Sequence, residues 1–287
     1  MESREFYEDQ YSPSRWVKRM DPKDVVDYHK KKCFDASFRS RENLKNETVS
    51  YGNKSKENMD IFEPDSAECK SEAKAVFVFV HGGYWQETSK DIYNFLADPL
   101  TARGVITAVV GYTLAPEVKI DEMINEIQNA ISFLCQKYPE HNLYLCGYSA
   151  GAHLCAMMMC LRWDDCSKVP SMIKGMFLVS GVYQLVPLVS TSINEPLKMT
   201  KDFAERISPQ IILQSEKPSI ICPMLLAVGE YESSAFKEMS KSFSLTLKNH
   251  GIENLLLTIP KTDHFDIIEN LINPDFLLMQ LMLKMIC

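Results

Sequence analysis

The sequence of 287 residues predicts an α/β fold, a mostly parallel central sheet flanked by helices, on three observations. Short strand-like runs alternate with helical stretches through the second half of the chain, after an initial pair of β segments, which gives a mostly parallel sheet with an antiparallel start. The run Ala75-Val76-Phe77-Val78-Phe79-Val80 is apolar without a break, as a strand covered on both faces requires. Finally, Gly147-Tyr148-Ser149-Ala150-Gly151 joins the apolar run Leu143-Tyr144-Leu145-Cys146 to an all-round apolar stretch, Ala152 through Leu161, of the kind found in a helix buried against a sheet.

The elements follow in order. The first forty-five residues mix charges with Phe6, Tyr7, Tyr11 and Trp16 and end in a helical stretch from Asp24 to Arg41, forming an N-terminal arm or lid element. Strands are read at Thr48–Tyr51, Met59–Phe62, Ala75–Val80 and Val105–Val110. Ile120, Met123, Ile124, Ile127, Ile131 and Leu134 then recur at helical spacing with Asp121, Glu122, Glu126 and Lys137 elsewhere, the pattern of a crossover helix packed on the sheet. Further strands are read at Met176–Val179, Met224–Val228 and Leu255–Ile259. Between Gly181 and Pro218 an irregular, partly helical insert breaks the rhythm and is expected at the carboxyl ends of the strands, where such sheets bind ligands. The chain is read as one domain over 1–287, with an arm at 1–45 and an insert at 181–218.

Composition narrows the class. A net charge of −7 argues against nucleic acid and anionic membrane partners, both of which favour a basic face. The charged opening Met1-Glu2-Ser3-Arg4-Glu5 and the lack of a long apolar run point to a cytoplasmic protein with no membrane association. Nine cysteines, an odd number scattered through strands and helices, read as reduced thiols, with Cys146, Cys155 and Cys160 as small core residues. No metal-type spacing, phosphate loop or dinucleotide fingerprint is found, so a cofactor-free mechanism with no metal is expected.

The chemistry is carried by Gly147-Tyr148-Ser149-Ala150-Gly151, which fits the Gly-x-Ser-x-Gly nucleophile elbow and points to a serine hydrolase. The turn holds Ser149 in a strained conformation, and the helix beginning behind it aims free amides, chiefly that of Ala150, at a nascent oxyanion. A serine hydroxyl needs a base within hydrogen-bond reach, itself held by an acid. In this fold the order is serine, acid, histidine. His264 follows the last strand and is the candidate base; His29, His141 and His250 are read as lying in polar surroundings away from strand ends, and His81 and His153 belong to other motifs. Glu232, in Gly229-Glu230-Tyr231-Glu232-Ser233-Ser234, is favoured as the acid over Glu230 and over Asp263. The loop His81-Gly82-Gly83-Tyr84-Trp85 should supply the rest of an oxyanion hole through the Gly82 and Gly83 amides, with Tyr84 and Trp85 lining the substrate pocket and His81 organising the loop.

With these residues assembled, the sequence resembles the kynurenine formamidase, or arylformamidase, family of the α/β-hydrolase superfamily. The resemblance runs nearly end to end, through Gln10-Tyr11-Ser12-Pro13-Ser14-Arg15-Trp16, His81-Gly82-Gly83-Tyr84-Trp85, Pro99-Leu100-Thr101-Ala102, Leu145 to His153, Leu178-Val179-Ser180-Gly181-Val182 and Asp263-His264-Phe265 with Ile268-Glu269-Asn270-Leu271. It implies hydrolysis of N-formyl-L-kynurenine to L-kynurenine and formate, a step of tryptophan breakdown, by a homodimer. The chain departs from the family pattern where Glu232 replaces the usual aspartate, where Ser233-Ser234-Ala235-Phe236 replaces a Ser-Pro-Glu-Phe run, and where Tyr148 replaces a histidine beside the nucleophile. A longer acid can still orient the imidazole, so activity is expected, while Tyr148 alters pocket polarity. Two other readings use the same residues: a general carboxylesterase, and a catalytically weakened binding module on a hydrolase fold.

Overall fold

Residues 3–65, 74–164 and 166–287 are described by the computed structural model of the chain. Its strands are β1 (Asn46–Ser50), β2 (Asn58–Phe62), β3 (Ala75–Val80), β4 (Ile106–Val110), β5 (Asn142–Tyr148), β6 (Ile173–Val179), β7 (Met224–Gly229) and β8 (Asn254–Ile259). They form an eight-stranded sheet in the order β1-β2-β4-β3-β5-β6-β7-β8. The β1–β2 and β2–β4 pairs are antiparallel and all later pairs parallel, so this is the expected α/β-hydrolase sheet with its antiparallel start.

The unbroken apolar runs are explained by a core on each face. Val76, Val78 and Val80 of β3 pack on one side together with Leu143 and Leu145 of β5, whereas Phe77, Phe79, Tyr144 and Cys146 pack on the other. The first core is covered by three helices, α3 (Ile120–Lys137), α4 (Ala150–Met158) and α5 (Ser234–Asn249); the second is covered partly by α2 (Val25–Asn43) and α6 (Leu277–Ile286). Cys146 and Cys155 are buried thiols that desolvation pushes well up, so they act as small core side chains; Cys69 lies outside the described residues. Helix α4 ends at Met158, three residues before the expected Leu161. Its last carbonyls are taken from outside: Trp163 Nε1–H donates to Met158 O at 3.1 Å, and Ser219 N–H to Met159 O at 2.8 Å.

Strand register converges the loops that matter. Val80 at the end of β3 pairs with Gly147 near the end of β5, which sets residues 81–85 beside Ser149. Gly229 at the end of β7 pairs with Ile259 at the end of β8, which sets the Glu232 turn beside the His264 loop. Among the described residues no helix is long and apolar enough to cross a membrane.

The arm ties these loops together. From α1 (Arg4–Gln10) Glu8 accepts from Ser192 N–H and Oγ–H in the insert, at 2.5 and 3.0 Å, and Gln10 Oε1 accepts from Ser234 Oγ–H and Ala235 N–H at the start of α5. Tyr84 O–H donates to Tyr11 O at 2.8 Å, and Arg19 pairs with Asp263 beside the histidine loop. One segment thus touches the insert, the 81–85 loop, the start of the helix that follows Glu232, and the His264 loop.

Candidate active site

The local sequence forces the serine forward. Ser149 has φ 54° and ψ −115°, a conformation costly for any side chain, and it is held there because its neighbours leave no room for relaxation. A Cβ on Gly147 would run into Gly151 O and the Ala152 backbone, and one on Gly151 into Val80 O. Only glycine lets the turn, α4 and β3 approach this closely. Ser149 N–H donates to Val179 O at 2.8 Å, which pins the elbow to the end of β6.

His264 Nε2 lies 3.1 Å from Ser149 Oγ, and His264 Nδ1 lies 2.7 Å from Glu232 Oε2. The carboxylate only accepts, so the ring proton sits on Nδ1 and Nε2 is left as the acceptor for the serine hydroxyl. Glu232 is itself buried and fixed at its other oxygen: Ser180 Oγ–H donates to Oε1 at 2.6 Å and Gly229 N–H at 2.8 Å. Tyr148 O–H donates to His264 O at 2.8 Å, and the Phe236 ring meets the imidazole edge-on at 5.0 Å. Of the other acids weighed, Glu230 accepts from Lys261 N–H at 2.7 Å, and Asp263 caps the following turn through Phe265 N–H and Asp266 N–H while binding Arg19.

Peptide geometry orients the loop of residues 81–85. The Gly82 carbonyl accepts from His81 Nδ1–H at 2.9 Å and from Thr88 Oγ1–H at 2.9 Å. Across a trans peptide the N–H of Gly83 must point the opposite way. Among the described residues no backbone carbonyl accepts from the amides of Gly83 or Ala150, so both are available to a ligand. Gly82 lies against Ser149: a Cβ there would come within 3.0 Å of Ser149 Cβ and 2.9 Å of Tyr148 O. His81 stacks on Tyr112 at 4.3 Å, and desolvation lowers it to about 4, which keeps it neutral and able to hold the Gly82 carbonyl.

A cavity of about 310 Å³ opens on Ser149 and His264. Its walls include Tyr84 and Tyr148, His29 and Lys30 of α2, and Ser192 and Ile193 of the insert. Two expectations need correction here. Trp85 does not line this cavity: its side chain is 0 % exposed in the core and donates Nε1–H to His153 Nδ1 at 3.2 Å. Three consecutive residues, Gly83, Tyr84 and Trp85, have positive φ (103°, 48° and 60°), so the alternation of a strand does not apply and the two aromatics part, one to the cavity and one to the core. His153 in turn donates Nε2–H to Ile207 O at 2.7 Å, linking Trp85 to the insert. Trp85→Phe keeps the packing but strands His153 Nδ1, so we expect a loss of about 1–3 kcal/mol in urea unfolding with no change in the ratio of KM values for a large and a small substrate.

The second correction concerns His29, which is 3 % exposed and faces the cavity. Its Nδ1 is 3.0 Å from Glu269 Oε1 and its Nε2 3.2 Å from Tyr93 Oη. Glu269 also pairs with Arg19 at 2.7 Å and Lys32 at 3.0 Å. Burial would raise its carboxyl, but the hydrogen bonds from His29 and Arg19 outweigh this and lower it to about 2. That contribution to stability is present above the unfolded carboxyl range and is lost as pH falls through about 2. Asp266 moves the other way: burial, then the neighbouring Asp263 carboxylate, raise it to about 7. Its contribution is full below the unfolded value and is lost as pH rises through 7. Asp266→Asn should therefore be more stable than the parent at pH 8.5 and show a smaller drop in Tm between pH 5.5 and 8.5; an unchanged drop would show that Asp266 does not set it.

Ser180 was missed as a site residue by sequence reasoning. The strand order could have found it: β6 lies between the strand that ends at the serine and the strand that precedes the acid, so a polar residue at the end of β6 has those two loops to face. Its positive φ of 52° turns the hydroxyl to Glu232.

A family model described as BD-FAE matches residues 59–247. Kynurenine formamidase of Salmo salar is 39 % identical over 97 % of this chain and 95 % of its own length, and that of Danio rerio is 39 % identical over 99 % and 97 %. Among solved structures, a candidate thioesterase from Silicibacter sp. TM1040 superposes with a TM-score of 0.80 at 25 % identity, over 95 % of this chain and 97 % of that one.

Proposed function

This chain belongs to the BD-FAE and kynurenine formamidase families, and from that premise we propose that it hydrolyses N-formyl-L-kynurenine to L-kynurenine and formate through Ser149, His264 and Glu232. The observation that carries the mechanism is the continuous hydrogen-bonded line from Ser149 Oγ through the His264 ring to Glu232. Ser149 Oγ attacks the formyl carbon while His264 Nε2 takes its proton. The carbonyl oxygen becomes an oxyanion on the amides of Gly83 and Ala150, with Gly82 leaving space beside the nucleophile and its own amide as a third donor. His264 returns the proton to the aryl nitrogen, the C–N bond breaks and kynurenine leaves. Water then attacks the formyl-serine ester, giving its proton to His264, and formate departs as Ser149 is restored. Glu232 holds the imidazole in the required tautomer and stabilises its charged form.

Formyl is the smallest acyl group, which suits a serine pressed against Gly82, while the aryl and amino-acid parts extend into the cavity beside Tyr84 and Tyr148. Trp85, once expected in that pocket, acts as a packing residue. A cytoplasmic homodimer belongs to the same reading; light scattering on the purified protein tests the dimer. General ester hydrolysis is the second reading, favoured by the likeness to the candidate thioesterase. The ratio of kcat/KM for N-formyl-L-kynurenine to that for p-nitrophenyl acetate decides between them: a ratio well above one supports the formamidase, and ester cleavage without formamide cleavage supports the esterase.

A further inference from the structure

Lys30 and Glu87 face each other across the cavity wall, with Lys30 Nζ 2.8 Å from Glu87 Oε2. Histidines aside, they are the charged side chains among the cavity's lining residues. Both are about half exposed, and an ion pair in that setting contributes little to stability, so it can be opened at small cost. They are carried by separate elements. Lys30 follows His29 on α2, whereas Glu87 closes a tight turn in which its N–H donates to Gly83 O at 2.8 Å. Glu87 is therefore one turn away from the oxyanion glycine, and Lys30 reaches the same wall on a flexible stem.

An opposed cation and anion in the wall of a site are complementary to a zwitterion. We propose that Lys30 and Glu87 exchange each other for the α-carboxylate and α-ammonium of the substrate, forming a recognition site for a free amino-acid group at the end of an aryl formamide. This assignment rests on the formamidase reading of Ser149 and deepens it. It makes the pair a determinant of specificity, with no part in the proton transfers at the serine.

The test is steady-state kinetics of Lys30→Met and Glu87→Gln on four formamides: N-formyl-L-kynurenine, its decarboxylated analogue, its deaminated analogue, and formanilide, which has no tail. Lys30→Met should raise KM about tenfold more for the substrates carrying the carboxylate than for the two lacking it. Glu87→Gln should do the same for the substrates carrying the ammonium. The kcat for N-formyl-L-kynurenine should move much less than KM. Equal changes on all four substrates, or no change on N-formyl-L-kynurenine, overturn the assignment and leave the formamidase reading standing. A parent protein that cleaves none of the four overturns both.

Discussion

Ser149→Ala and His264→Ala should each lower kcat for formamide hydrolysis by roughly 10⁴- to 10⁶-fold, and combining them should cost no more than the larger single loss. The reason is that the two side chains act as one unit. Ser149 Oγ at 3.1 Å from His264 Nε2 is nucleophilic only while the imidazole can take its proton, and the imidazole has no task at the formyl carbon without the hydroxyl. Losses that instead multiplied would mean that each residue acts independently. Folding should survive Ser149→Ala, because alanine at φ 54° suffers the same backbone constraint as serine and Ser149 N–H keeps its bond to Val179 O. Equal unfolding midpoints for parent and variant, measured beside the kinetics, separate lost chemistry from lost structure.

The second large effect is at the acid. Glu232→Gln can still accept from Ser180 and Gly229 at one end, but its amide N–H₂ would face His264 Nδ1 and impose the wrong tautomer, at a cost of about 10³- to 10⁴-fold in kcat. Glu232→Asp tests a subtler point. Aspartate is the usual acid in the family this chain resembles, yet here it should lower kcat by about 10- to 100-fold, because a side chain shorter by one methylene cannot reach His264 and also keep the Ser180 and Gly229 donors. Full activity of Glu232→Asp would show that the loop adapts and that the extra methylene has no role. Ser180→Ala, which frees Glu232 Oε1 on one side, should fall between the parent and Glu232→Gln.

What was legible in the sequence follows from what short-range patterns encode. The strands could be read because both faces of the sheet are covered, which demands runs such as Ala75–Val80. The elbow could be read because the close approach of Gly151 to β3 leaves a mark in residue type. Chain order admits Asp263 as well as the two glutamates after β7, and the separation of Glu232 from Glu230 depends on which carboxylate turns inward, a matter of the Gly229–Ser233 turn. The placement of Trp85 was beyond reach for a related reason: in a run of positive φ the side-chain directions follow no period. His29 was misread because its surroundings come from afar. Glu269 lies 240 positions away in the chain, and its partners Arg19 and Lys32 look in sequence like ordinary surface charges.

Whether Ser149 serves a formamidase is decided by the initial rate at which the purified protein releases kynurenine from N-formyl-L-kynurenine at neutral pH, with Ser149→Ala measured in parallel. Catalytic turnover by the parent, falling to background in the variant, is the expected result. No release by the parent, or release that persists undiminished in Ser149→Ala, would contradict it.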